Sequence, residues 1–214
     1  MRWFLSLTVG LMGVTLLAAD KPRVFVFAAD EIGKTPKGWT VAKTGMFEGS
    51  VWQVVKDPTA PSGTGQVLAQ LAEGERRLFN LCVVDDTHYR DLEASVRYKA
   101  VAGEIDQGGG IVWRYQDPNN YYIARYNPLE TNFRVYKVID GKREQLESHG
   151  NLDLPAGQWH TLTIRQQGNR IECLLDGKSY LQVQDDTLTK PGKVGLWTKA
   201  DAKTYFDELR VAPR

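Results

Sequence analysis

Two acidic side chains in the segment GEIDQGGG, Glu104 and Asp106, are spaced so that they would share one face of a β-strand. Paired carboxyl groups of this kind cleave glycosidic bonds. One serves as nucleophile, the other as acid/base, and retaining chemistry needs them about 5–5.5 Å apart. A run of the form Glu-x-Asp-x-Glu, or one residue longer, presents the full set from one strand. Here the third acidic place falls on Gly108 or Gly109. Glycine has no proton to give a leaving group, and four glycines within eight residues suit a turn better than a rigid catalytic strand. The segment is therefore expected to be a glycine-rich turn feeding the next strand. Other catalytic signatures are missing: the chain has no GxSxG elbow, P-loop or HExxH, and its three histidines lie far apart.

The residues that follow offer a binding surface instead. GIVWRYQ and YYIARYN flank Asp117-Pro118-Asn119-Asn120, a set of turn formers, which predicts a hairpin with a four-residue loop and Gln116 opposite Tyr121. Alternation then puts Ile111, Trp113, Tyr115, Tyr122, Ala124 and Tyr126 on a core side, joined by Phe133 and Val135 from the next strand. The other side carries Arg114, Gln116, Tyr121, Arg125, Arg134 and Tyr136, with Asn127 and Glu130 in the adjoining loop. Flat aromatic faces suit the C–H surface of a pyranose, and the fixed fork of a guanidinium suits its hydroxyls. The same residues also serve a plain solvated face, where cross-strand pairs stabilise a sheet without any ligand.

These residues must be positioned by an all-β framework. Period-two alternation recurs in DLEASVRYKA and in WHTLTIRQQ, and tight-turn pairs (Asp140-Gly141, Gly168-Asn169, Asp176-Gly177) punctuate the chain. About a dozen short strands, from VFVFA at 24–28 to YFDELRV at 205–211, predict a two-sheet antiparallel β-sandwich. TAPSGTG (59–65) is too short to divide domains, so residues 20–214 read as one domain.

Ahead of it, Met1-Arg2, the uncharged run Trp3 to Leu17 and the small-residue exit Leu17-Ala18-Ala19 read as a signal peptide over 1–19, implying a secreted or periplasmic protein. Of 27 basic residues one, Arg2, falls in that leader, which leaves basic and acidic residues balanced at 26 each. Such a balance gives no electrostatic reason to expect nucleic acid or anionic lipid as a partner. Cys82 and Cys173 sit in strand-like apolar runs. They are either two buried thiols or a disulfide closing a loop of about 90 residues, worth ~3–5 kcal/mol. Near the C-terminus, Trp197 is expected in the core. Asp207, with Asp30 near the first strand, could offer oxygens to calcium.

GGGIVWRYQDPNNYYIARYN, GQWHTLTIRQQGNRIECLLDGKSY and PGKVGLWTKADAKTYFDELRV together resemble successive strands of the concanavalin A-like (laminin G-like) jelly roll. Within that fold the chain is most similar, over roughly residues 24–212, to the 3-keto-disaccharide hydrolase domains, also described as family-16 glycoside hydrolase-like. The resemblance implies a concave sheet that meets carbohydrate and a structural calcium near the chain termini, with Asp207 at the metal position. Two functions follow as expectations: an exported carbohydrate-binding, lectin-like domain without the family-16 catalytic set, or a hydrolase of disaccharides or 3-keto-glycosides.

Overall fold

Fifteen strands and no α-helix make up residues 21–214, the part of the chain described in the computed structural model; the expected leader lies outside it. In chain order the strands are β1 (Arg23–Phe25), β2 (Trp39–Thr44), β3 (Trp52–Lys56), β4 (Gln66–Gln70), β5 (Phe79–Val84), β6 (Leu92–Ala102), β7 (Gly109–Asp117) and β8 (Asn120–Asn127). They continue as β9 (Asn132–Ile139), β10 (Lys142–His149), β11 (His160–Gln167), β12 (Arg170–Leu175), β13 (Lys178–Gln184), β14 (Lys193–Lys199) and β15 (Lys203–Pro213).

The expected alternation is visible in β6, where Leu92, Ala94, Val96, Tyr98 and Ala100 are buried while the residues between them are partly or fully exposed. Turn chemistry holds as well. Asp140 and Gly141 have φ of 50° and 76°, and Asp176 and Gly177 have 49° and 79°. Positive φ at both central residues matches the right-handed twist of the strands these two-residue turns connect.

All strand pairs are antiparallel and form two sheets. One runs β13-β12-β11-β6-β15-β4-β3, with β1 also on β15; the other runs β10-β9-β8-β7-β14-β5-β2. The late strands β14 and β15 insert between early ones, β5 and β7 in one sheet and β4 and β6 in the other. The sandwich therefore cannot be completed until the C-terminal residues are in place. Between the sheets lies one core, built from Trp52, Leu68, Val96, Tyr98, Trp113, Tyr122, Tyr126, Leu162, Phe206 and their neighbours. Cys82 and Cys173 belong to it as free thiols, and burial pushes both well above the ordinary thiol range.

The seven-stranded sheet has a second apolar cluster on its other, concave face: Phe79, Leu81, Val83, Val112, Tyr115, Tyr121, Ile123, Val138 and Trp197. This face was expected to lie open, either as a binding surface or as a plain solvated face. Instead the sheet curls until its two edges meet over it. Thr44 on β2 reaches the Tyr121 hydroxyl on β8, and Arg143 on β10 stands 5.0 Å over the ring of Phe79 on β5. Trp197 is buried as expected, but in this second cluster rather than between the sheets.

Candidate functional site

The β7–β8 hairpin departs from the expected register in an instructive way. Asp117 does pair with Asn120, so the loop is only Pro118-Asn119. A register shift of two residues then intervenes before Trp113 pairs with Tyr122. Arg114, at φ 44°, carries this bulge. Because the shift is even, Ile111, Trp113, Tyr122, Ala124 and Tyr126 keep their expected inner face, together with Phe133 and Val135. Tyr115, beyond the bulge, crosses to the concave face.

Arg114 and Gln116 leave the predicted surface. The Arg114 side chain is 1% exposed and donates to the carbonyl oxygens of Arg90 (2.9 Å), Leu188 (2.6 Å) and Gly168 (2.7 Å) and to Asp91 (3.2 Å). It ties loops of both sheets together, and burial pulls its pKa down. Gln116 is exposed and donates to the carbonyls of Arg114 and Pro191. Neither faces the concave sheet, because the bulge rotates this stretch away from it.

Tyr121, Arg125, Arg134 and Tyr136 do share the concave face, but as buried or half-buried groups. Tyr121 is fully buried, with Oη 2.6 Å from Thr44 Oγ1. Thr44 in turn donates to the carbonyl of Pro118 (2.5 Å), so the phenol must donate to Thr44. Arg125, 2% exposed, donates to Glu130 (2.7 Å), to the Tyr136 hydroxyl (3.0 Å) and to both oxygens of Asn132. Arg134 donates to Ser148 (3.0 Å) and to Glu130 (3.4 Å). Burial raises the Glu130 carboxyl, yet Arg125, Asn132 and Arg134 outweigh it and hold the group below its ordinary range. Asn127 is completely buried. Its amide nitrogen reaches Asp106 Oδ1 (3.1 Å), and its oxygen accepts from the backbone of Leu129 and Glu130, shaping the loop.

Four further residues complete this end of the sheet. Arg143 lies among three aromatic rings, 4.4 Å from the centroid of Tyr136, 5.0 Å from Phe79 and 5.8 Å from Trp197. Of the two tyrosines expected to meet a sugar, Tyr136 thus already carries a cation of the chain itself over its ring. Burial lowers the pKa of Arg143, against the opposing pull of Tyr136, Asp106 and Glu130. Asp106, 1% exposed, pairs with Lys199 Nζ at 3.3 Å and accepts from the Gly108 N–H at 2.8 Å.

The GEID segment is the expected turn: Asp201 accepts the backbone N–H groups of Glu104 (2.7 Å), Ile105 (3.1 Å) and Asp106 (3.0 Å). Glu104 is exposed, whereas Asp106 turns inward. The glycines after it serve close approach. A Cβ on Gly110 would lie 2.3 Å from the carbonyl oxygen of Ala124 and 2.8 Å from Arg125 Cβ, and one on Gly109 would lie 2.6 Å from Thr204 Cγ2.

Asp106, Arg143, Trp197 and Lys199 were not singled out from the sequence as concave-face residues. For Arg143 a signal existed. The two-residue turn Asp140-Gly141 sets Ile139 opposite Lys142 and hence Val138 opposite Arg143, on the Tyr136 side. For Asp106 and Lys199 no local pattern announces the partner, which is 93 residues away.

What the cluster can do follows from its spare valences. Five buried side-chain atoms among the described residues lack a close hydrogen-bond partner, and three of them lie on this face: Arg125 Nε, Arg143 Nη1 and Trp197 Nε1. The last of these still faces the Tyr121 hydroxyl and lowers its pKa against the larger upward push of burial. All three are donors. A surface groove of about 580 Å³ lies elsewhere, on the outside of the eight-stranded sheet. Two of its arginines are already paired, Arg165 with Glu93 and Glu172 and Arg214 with Glu93, so size alone does not make it the better candidate.

Asp207 is fully buried and uses one oxygen for the Ser62 N–H (2.8 Å) and the other for the Glu208 N–H (2.9 Å). Burial raises its pKa despite these bonds. Its oxygens thus anchor the 57–65 loop to a β15 bulge, where Glu208 has φ 48°. A carboxylate whose oxygens both face N–H donors does not fit the calcium expected from the resemblance. Among the described residues no group of three or more acidic, histidine or cysteine side chains converges. The side chain of Asp30 lies outside those described.

The sequence model of the 3-keto-alpha-glucoside-1,2-lyase-like domain matches residues 28–212, nearly all of the strands above. The chain belongs to this family. In structure, the family member described here is similar to the carbohydrate-binding module CBM66 of Bacillus subtilis, at 16% identity and a TM-score of 0.64, over 82% of this chain and 95% of that one. It is also similar to the β-glucanase of Bacillus licheniformis, at 15% identity and a TM-score of 0.59, over 86% and 96%. A Bacillus subtilis protein of galectin-like fold aligns at 10% identity and a TM-score of 0.55, over 82% and 89%. At these identities the likeness is one of fold. Among curated proteins, none matches the chain.

Proposed function

We propose that this 3-keto-alpha-glucoside-1,2-lyase-like domain is an exported carbohydrate-binding domain. Its ligand would sit at the end of the concave face where Arg125 and Arg143 flank the Tyr136 ring. One observation carries this: on one face two buried guanidinium N–H groups, Arg125 Nε and Arg143 Nη1, have no acceptor within the protein. A buried donor left unpaired costs about 1–3 kcal/mol, so a site that keeps two is suited to an acceptor from outside. The family's own description, which concerns a glucoside, and the expected leader over residues 1–19 support the reading. Binding ranks above catalysis because both carboxylates at the site are engaged, Asp106 with Lys199 and Glu130 with Arg125 and Arg134.

A second reading has a specific observation in its favour, the Asp106–Lys199 pair beside the donors. A 1,2-elimination on a 3-keto-glucoside needs a base to take the C2 proton, made acidic by the neighbouring ketone. The C1–O bond then breaks as the C1–C2 double bond forms, and the leaving oxygen is protonated. Clustered donors would stabilise the charge that gathers on the ketone oxygen. A panel of mono- and disaccharides and their 3-keto derivatives, followed by thermal shift and by product release, separates the two. Stabilisation without turnover is expected. Turnover of a 3-keto-glucoside that disappears in Lys199→Met would replace binding with lyase chemistry, and no response to any sugar would remove both.

A further inference from the structure

We infer that the protein has a second sugar site away from the concave face, a groove of about 270 Å³ between the end of the β7–β8 hairpin and the β13–β14 loop, which receives a single neutral sugar ring. This site stands on its own residues and uses none of the concave-face donors. Gln116, Asp117 and Asn120 line it from the hairpin, and Leu188, Thr189 and Lys190 line it from the loop.

The bulge at Arg114 is what brings Gln116 here. A non-glycine residue at φ 44° is strained, and such residues cluster at binding and switch sites, where a bulge re-aims a neighbouring side chain. Both walls of the groove are tied down. Arg114 donates to the Leu188 carbonyl (2.6 Å), the Leu188 N–H donates to the Tyr122 hydroxyl (3.1 Å), and the Gln116 amide donates to the Pro191 carbonyl (2.9 Å). Gly192 permits this close approach, because a Cβ there would lie 2.7 Å from Gln116 Nε2 and 2.5 Å from the carbonyl carbon of Arg114. The groove is therefore formed before a ligand arrives, which lowers the cost of binding.

Its open valences are of both kinds. Gln116 Nε2 faces two carbonyl oxygens, those of Pro191 and Arg114, which uses both of its protons and leaves Oε1 as an acceptor. Asp117 Oδ1 accepts from the Asn119 N–H and from Asn120, whereas Oδ2 accepts from Asn120 alone and keeps a lone pair. The Thr189 hydroxyl and the Lys190 ammonium, on two exposed residues, have no hydrogen-bond partner among the described residues. A sugar hydroxyl both donates and accepts, so acceptors standing beside donors can satisfy it completely. Lys190 and Asp117 balance in charge, which favours a neutral ligand over an anion, and half-buried Leu188 offers apolar contact to ring C–H groups. The volume falls just under the ~300–1,000 Å³ usual for small-ligand pockets, room for one ring rather than a chain.

The test is an amide-resolved NMR titration of the purified protein with glucose, galactose and fructose, and with acetate and inorganic phosphate as anions. Saturable shifts in segments 116–120 and 187–190 are expected with at least one sugar, at an affinity that moderate salt does not change. Thr189→Val and Lys190→Met should each weaken that binding about fivefold, the worth of one hydrogen bond. Neither side chain has a partner to lose, so both variants should keep the parent spectrum outside the groove. Sugar shifts confined to segments 125–143 and 197–199 would overturn this site and leave the concave-face reading standing. Shifts confined to the groove would support it and remove the concave-face site. Acetate or phosphate binding here as tightly as the best sugar would overturn the neutral ligand. Unchanged affinity in both variants, or no shift from any of the five probes, would overturn the site itself.

Discussion

Thr44 Oγ1 on edge strand β2 lies 2.6 Å from the hydroxyl of Tyr121 on β8, although β5, β14 and β7 stand between their strands in the sheet. A flat sheet would hold these strands almost 20 Å apart at 4.7–4.9 Å per step. The contact is therefore a direct measure of how far the seven-stranded sheet has curled. It also explains why tyrosines and arginines that read as a solvated surface are buried.

Removing that contact should loosen the closure without unpacking the sandwich. Tyr121→Phe keeps the ring against Tyr115 and Trp197 and removes the hydroxyl that donates to Thr44 and faces the Trp197 N–H. Thr44 retains its bond to the Pro118 carbonyl, so the loss is that of one buried hydrogen bond, about 1 kcal/mol in a urea denaturation midpoint analysis. Faster amide exchange at residues 117–121 should accompany it.

Asp106 and Lys199 form a pair in which the carboxylate is 2% and the ammonium 14% exposed. Breaking a buried pair from one side leaves an uncompensated charge, so Asp106→Leu should destabilise by about 3 kcal/mol. The double variant Asp106→Leu with Lys199→Met should recover a good part of that loss. Additive losses in the cycle, measured by chemical denaturation, would show that the two groups are not coupled.

Asp201 holds the turn at 104–106. Burial raises its carboxyl, but the N–H groups of Glu104, Ile105 and Asp106 outweigh burial, and the pKa lies below its ordinary value near 3.8. A carboxyl whose folded pKa is depressed contributes stability that is present above the unfolded pKa and lost as pH falls through the folded one. Asp201→Asn should therefore be less stable than the parent at pH 7, by about 1–3 kcal/mol, with the difference shrinking below about pH 4. A gap that stays constant from pH 7 to pH 3 would contradict the role assigned to the charge.

The sequence by itself determined the all-β fold, the strand alternation and the turns. These depend on local rules: side chains alternate at period two, and Asp-Gly pairs accept positive φ. It also determined which side of β7, β8 and β9 faces the inter-sheet core, because the register shift at Arg114 is even and preserves parity. What lies on the opposite side was decided only in three dimensions. A Tyr-and-Arg face has the same one-dimensional pattern whether the sheet is flat and wet or curled and closed, and curl is set by contacts such as Thr44–Tyr121 across 77 residues. The same holds for the Asp106–Lys199 pair and for the partners of Arg114, 23 to 74 residues distant. Burial and charge pairing there are properties of the assembled sheets; Lys199, for one, meets Asp106 only when β14 slots between β5 and β7.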